Sequence, residues 1–291
     1  MRDKTDRQIT LADGRMLGYS EYGDPDGKPV FYFHGAPGSR IEWPLYGDAA
    51  WAEQHQARFI AVDRPGIGLS DFQPGRKLGD WSDDILELAN KLGLDRFAVW
   101  GYSGGGPYAA VCALKIPSRL TKAVIVSGVG PFYDLPEVYD LIPQGSRTYW
   151  TLARRNALLS RLFLRFMKFT ANRSPERVGE GMSRSMPDAD KAYIPQVQQI
   201  LADTLVEAVR SGPRGAQYDA WLYQQPWDFR LQDIEMPVFL WHGEADWSIP
   251  VMMGRYVAEK IPYCQSTFYE NEGHISLIKK YRDEIINAVM A

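Results

Sequence analysis

Short apolar runs that alternate with helical patterns constrain this chain most. Residues 30–33, 59–62, 97–100 and 124–126 are unbroken apolar stretches of strand length, and the first two close on Gly/Pro-rich loops. Runs without polar alternation suit strands buried on both faces. Between them, residues 81–92 put Trp81, Ile85, Leu88, Ala89 and Leu92 on one helical face. Strand, helix, strand in this order predicts an α/β fold, a mostly parallel sheet with helices on both faces. Ahead of it, residues 8–11 and 16–21 flank Ala12-Asp13-Gly14-Arg15, a turn signal that predicts an antiparallel hairpin. The rhythm breaks near Pro131. Residues 133–226 read as helices and loops, and the pattern resumes with a strand at 236–241, a last strand at 266–269 and a last helix at 275–290. The organisation expected is an α/β core made of 1–132 and 229–291, interrupted by a helical cap at 133–228.

A chain of 291 residues is long enough for one such domain with an insertion. Its formal net charge of −3 offers no basic face, so nucleic acid is not an expected partner. Cys112 and Cys264 are too few for a disulfide framework or a cysteine-only zinc site, and both are expected as free, buried thiols. No apolar run follows the charged start, so no signal peptide is read and a cytoplasmic location is the expectation. No stretch approaches the ~18–20 apolar residues of a membrane span, so stable membrane insertion is not expected.

Chemistry concentrates at loops that follow strands. Gly101-Tyr102-Ser103-Gly104-Gly105 fits Gly-x-Ser-x-Gly, with a strand before it and a helical pattern after it. Such a turn lifts a serine hydroxyl above the sheet edge and sets the N–H of Gly104 at a helix N-terminus, where negative charge is stabilised. Ser103 is therefore the candidate nucleophile. Acyl transfer needs a second oxyanion donor. The N–H of Ala36, in His34-Gly35-Ala36-Pro37-Gly38 after the first parallel strand, is the candidate, stiffened by the proline beside it.

These motifs, with Asp63-Arg64-Pro65-Gly66-Ile67-Gly68-Leu69-Ser70, His242-Gly243-Glu244-Ala245-Asp246 and Asn271-Glu272-Gly273-His274, run in the order found in the α/β-hydrolase superfamily, which the chain resembles over nearly its whole length. The resemblance implies an eight-stranded sheet and a serine triad; it names no substrate. Of the four histidines, only His274 follows the family's chain order of Ser, Asp, His, which makes it the candidate base. His34 is read as bracing the oxyanion loop, His242 as supporting the acid loop, and His55 as exposed. Asp246 stands where the family carries its acid; Glu244 and Asp134 are the alternative carboxylates. The loop beginning at Asp63 is read as structural, with Asp63 or Arg64 in a buried ion pair.

The expected activity is hydrolysis of a carboxylic ester, lactone or thioester without metal or organic cofactor. Carbon–carbon bond hydrolysis and proline-iminopeptidase-like chemistry use the same triad, and a small-molecule receptor on a hydrolase scaffold is the non-enzymatic reading. A serine at 103 argues against epoxide hydrolase and dehalogenase chemistry, which use a carboxylate nucleophile. Candidate substrate contacts are His34, Tyr102, Phe132, Tyr133, Trp221 and Trp247. Tyr149, Trp150, Tyr223 and Trp227 are further aromatics of the pocket or of the cap's own core. Residues 157–169 are apolar with Arg161, Arg165 and Lys168 interspersed, and read as a lid helix with a basic rim. Basic residues outnumber acidic ones across 140–184, a rim that would attract anionic substrates. The partner expected is a small acyl substrate, for a monomer or a homodimer.

Overall fold

A computed structural model describes residues 4–184 and 186–291. Its centre is an eight-stranded sheet of order β1-β2-β4-β3-β5-β6-β7-β8. The strands are β1 (Lys4–Thr10), β2 (Met16–Gly23), β3 (Lys28–Phe33), β4 (Ala57–Val62), β5 (Phe97–Tyr102), β6 (Leu120–Val126), β7 (Val238–Gly243) and β8 (Cys264–Tyr269). β2 pairs antiparallel with β1 and with β4, and every other pairing is parallel. The hairpin expected around Gly14 is present, with Ile9 opposite Leu17. Several strands begin earlier than their apolar runs. β6 starts at Leu120 and carries an exposed Thr121, because a strand end pairs through its backbone whether or not its side chains are apolar.

The central strands are apolar throughout because each face meets a helical layer. Phe31 and Phe33 of β3 enter one core with Phe97, Val99, Trp81 and Tyr108; Val30 and Tyr32 enter the other with Trp43, Tyr46, Phe59 and Trp100. α2 (Trp81–Lys91) and α3 (Gly106–Lys115) cover the first face, and α1 (Ala49–Gln54) lies on the second. α2 buries Trp81, Ile85, Leu88 and Ala89, the face its periodicity predicts.

Between β6 and β7 there is no strand among the described residues, and the α-helices there are α4 (Val138–Leu141), α5 (Gln144–Arg155), α6 (Ala157–Arg173), α7 (Pro175–Ser183), α8 (Asp188–Lys191), α9 (Ile194–Ala208) and α10 (Arg214–Leu222). After β7, α11 (Val251–Lys260) joins the first face and α12 (His274–Met290) the second. Among the described residues, no helix is long and apolar enough to cross a membrane. Cys112 is buried in α3, where burial pushes its thiol well up the pH scale. Cys264, expected buried, is only partly so at the start of β8, where its backbone joins the sheet at the strand's open end.

Buried ion pairs tie the loop after β4 to the rest. Asp63 accepts from Arg40 Nη1 (2.9 Å) and from the N–H groups of Arg40 and Leu69. Arg64 is fully buried and donates from Nε to Asp219 of α10 (2.5 Å). Asp219 also takes hydrogen bonds from Arg76 and from the Tyr108 hydroxyl. Burial alone would raise its pKa, yet the two guanidinium groups hold it well below the usual carboxylate range. The stability it contributes is present above the ordinary carboxylate pKa and is lost as pH falls through the depressed one. Removing the carboxylate strands two buried cations, so Asp219→Ala should lose about 3–5 kcal/mol of unfolding free energy. A clearly lowered urea midpoint is expected, and an unchanged midpoint would contradict the pairing.

Candidate active site

β5 delivers Ser103 to the end of the sheet. Ser103 takes a left-handed conformation, φ +52°, and opens a tight turn that feeds straight into α3. A non-glycine residue accepts that conformation only where its surroundings enforce it. The surroundings here leave no room for relaxation: a side-chain carbon at Gly105 would sit 2.0 Å from the Phe33 carbonyl oxygen of β3. A side-chain carbon at Gly104 would meet Ala36 Cβ at 2.7 Å and Ala36 N at 3.1 Å, so the two predicted oxyanion donors come from adjacent backbone. Among the described residues, no acceptor takes the Ala36 N–H. The loop that carries it is clamped from behind, where Arg64 donates to the carbonyls of His34 (2.6 Å) and Gly35 (2.8 Å).

His274 is the first residue of α12, and its Nδ1 donates to Asp246 Oδ2 (2.7 Å). Asp246 follows β7 in a loop whose own N–H groups, at Ser248 and Ile249, donate to Oδ1 (2.9 and 2.8 Å). Burial raises the Asp246 pKa, but His274, His242 and the Ile249 N–H outweigh it and hold the carboxyl below its ordinary value. For His274, burial works against the cation, yet the Asp246 charge and hydrogen bond, with Asp190 and Glu42 beyond, raise its pKa above that of free imidazole. His242 is fully buried and donates from Nε2 to Ile249 O (2.8 Å), bracing the acid loop; burial lowers its pKa. The alternative carboxylates lie elsewhere. Glu244 pairs with Arg255, and Asp134 accepts from the Tyr256 hydroxyl (3.0 Å).

Two further carboxylates converge on the site. Asp190, from α8, is fully buried. Its Oδ1 accepts from Ile275 N (3.0 Å) and Ser276 N (2.8 Å), and its Oδ2 from His274 N (2.9 Å) and Trp247 Nε1 (3.0 Å). It thereby caps the helix that begins at the histidine, a position where Gly273 offers no side chain of its own. A side-chain carbon at Gly273 would lie 2.3 Å from Asp190 Oδ2, so glycine is what admits the carboxylate. Glu42 lies in the turn Arg40–Leu45, where its Oε2 accepts from the Tyr32 hydroxyl and from Gly35 N, both at 2.6 Å.

Ser103, His274 and Glu42 open on one cavity of about 410 Å³. Its far walls are mainly apolar and include Tyr149 and Trp150 of α5, Phe163 and Met167 of α6, and Leu201 and Leu205 of α9. Among the described residues, no cluster of three or more His, Cys, Asp or Glu side chains could hold a metal ion.

A family model described as alpha/beta hydrolase fold matches residues 28–281. The chain belongs to the α/β-hydrolase family. It is thus a hydrolase enzyme. The chain is 26% identical to a bifunctional esterase/perhydrolase of Acinetobacter calcoaceticus over 87% of each chain. It is 37% identical to a non-heme chloroperoxidase of Streptomyces lividans over 42% of this chain and 45% of that one, so the match spans less than half of that relative. In fold it is similar to a thermophilic esterase from Thermogutta terrifontis, with a TM-score of 0.69 at 22% identity over 98% of this chain and 96% of the other.

The hydrolase brings two of the expected substrate contacts to the cavity, Tyr102 and Trp247. Four others lie outside its lining. His34 is fully buried behind the loop, its Nδ1 donating to Gly35 O (2.8 Å). Phe132 packs on Trp150 at 4.9 Å and Trp221 on Tyr218 at 5.2 Å, aromatic contacts within the helical layer. Tyr133 is 63% exposed. Of the remaining aromatics, Tyr149 and Trp150 do line the cavity, Tyr223 is buried beside Gly104, and Trp227 stacks on Phe229. His55 is half-buried against Trp51. Residues 157–169 lie within α6, which turns Phe163 and Met167 inward while Arg165 stays exposed. Asp190 and Glu42 escaped the sequence reading because neither sits in a motif. Replacing Asp190 with Ala should cost at least about 1–2 kcal/mol of stability, as loss of a helix cap does, with Asp190→Asn recovering part of it in urea titrations. Equal midpoints for all three proteins would contradict the capping role.

Proposed function

We propose that the protein is a serine hydrolase that cleaves carboxylic esters, including lactones or thioesters, through an acyl-enzyme on Ser103. The observation that carries this reading is the 2.7 Å contact between His274 Nδ1 and Asp246 Oδ2, on a histidine that shares one cavity with Ser103. With Nδ1 engaged as a donor, the neutral imidazole keeps its lone pair on Nε2, the atom a general base needs. His274 removes the Ser103 proton as Oγ attacks the acyl carbon. The N–H groups of Ala36 and Gly104 hold the oxyanion. His274 then returns the proton to the leaving oxygen or sulfur, and a water activated by the same imidazole releases the acid. The helical layer between β6 and β7 acts as the cap that shapes the acyl pocket.

The ester reading is favoured over an iminopeptidase one by the cavity lining. The lining is mainly apolar, and among the described residues its one carboxylate is Glu42, whose Oε2 is already engaged by the Tyr32 hydroxyl and Gly35 N, so no pair of open carboxylates faces a free α-amine. The esterase/perhydrolase relative, aligned over 87% of both chains, points the same way.

Against p-nitrophenyl esters of increasing acyl length, Ser103→Ala should lose about 10⁴-fold or more in kcat; equal turnover by both proteins would overturn the assignment. The pH profile is a second test. Activity requires neutral His274, whose pKa is raised. kcat/KM should therefore climb with pH through an apparent pKa above the ordinary ~6.5 of imidazole and then level off. A limb in the carboxylate range, or no limb at all, would count against His274 as the base.

A further inference from the structure

Glu42 lines the cavity, and the proposed acyl-transfer mechanism leaves it unused. It is 4% exposed, and among the described residues only one of its two carboxylate oxygens is engaged. Oε2 accepts from Tyr32 and Gly35, while Oε1 has no donor among the described residues. Oε1 lies on the nucleophile's side of the site. A side-chain carbon at Gly35 would be 3.0 Å from Glu42 Oε1 and 3.4 Å from Ser103 Cβ, so the free oxygen and the nucleophile flank the same point. With both atoms against one point, a polar substituent on the first few carbons of an acyl group carried by Ser103 would come within reach of Oε1.

In the free enzyme, water would satisfy an open carboxylate oxygen facing a largely apolar cavity. An alkyl acyl chain would expel that water and offer nothing in return, and an unpaired buried acceptor is costly. A hydroxyl on the acyl chain would replace the water with a direct hydrogen bond. Burial pushes the Glu42 pKa up, against the opposing pull of Tyr32, Gly35, Arg64 and His274, and this favours a neutral donor over one that demands a full counter-charge.

We propose that Glu42 is a substrate-binding residue that selects acyl groups carrying a hydroxyl near the carbonyl, so that the preferred substrates are esters or lactones of hydroxy acids. The inference rests on the serine-esterase reading, since it places the acyl group on Ser103.

The test compares isosteric ester pairs in which a methyl replaces the hydroxyl: p-nitrophenyl lactate against isobutyrate, and 3-hydroxybutyrate against 3-methylbutyrate. Each kcat/KM is corrected for the ester's alkaline hydrolysis rate. The wild type should prefer at least one hydroxy ester by about tenfold or more. In Glu42→Leu the ratio within that pair should fall to near one, whatever happens to the absolute rates. The ratio separates recognition from the bracing of Gly35, because a disturbed oxyanion loop slows both members of a pair alike. Wild-type ratios near one, or a preference that survives in Glu42→Leu, would overturn the proposal while leaving the esterase reading intact. A wild type that prefers the corresponding amino esters over the hydroxy esters would also overturn it. Turnover of none of these esters would bring down both readings together.

Discussion

One imidazole is held from two directions, and much of the site follows from that. His274 opens α12, with Asp246 against its ring and Asp190 against its backbone N–H. The first carboxylate comes from the loop after β7 and the second from α8 in the inserted helices. Each solves a different problem. A ring held by Asp246 has its tautomer and orientation decided. A helix start capped by Asp190 has its first backbone donors satisfied without a capping side chain at Gly273, where space is already taken. The inserted layer is thus tied to the site by hydrogen bonds as well as by packing, and a rearrangement of α8 would be felt at His274.

The Ser103 side is built on a different constraint, the close approach of backbones at the end of the sheet. Gly105 lies against the Phe33 carbonyl and Gly104 against Ala36, so the serine turn and the loop after β3 define each other's position. Arg64 fixes the loop from the core, and Asp219 of α10 neutralises Arg64. This second tie also runs from the inserted helices to the floor of the cavity. Burial gives both sets of interactions their strength and makes each partner expensive to remove.

The fold was legible in the sequence where one physical rule dominates. Strands buried on both faces must be apolar, so the cores of β3, β4 and β5 stand out as runs, whereas the polar ends of β6 and β8 do not. The loops after the strands were legible because a tight turn or a close approach demands glycine, which marks Ser103, Ala36 and His274 by their neighbours. Asp190 and Glu42 carried no such mark. Asp190 meets residues more than eighty positions away, and Glu42 sits in Arg40-Ile41-Glu42-Trp43, a stretch that reads as ordinary surface. The aromatics of the inserted helices were ambiguous for a similar reason. Phe132, Trp221 and Trp150 are alike in sequence, and only packing decides that Trp150 reaches the cavity while Phe132 and Trp221 turn into the layer.

The central claim is that Ser103 is the activated nucleophile, and covalent labelling tests it most directly. The wild-type protein would be incubated with a fluorophosphonate and its peptides mapped by mass spectrometry, with His274→Ala treated in parallel. A single adduct on the peptide bearing Ser103 is expected, formed far more slowly when His274 is replaced. An adduct on another residue, or a Ser103 that stays unlabelled in active protein, would contradict it.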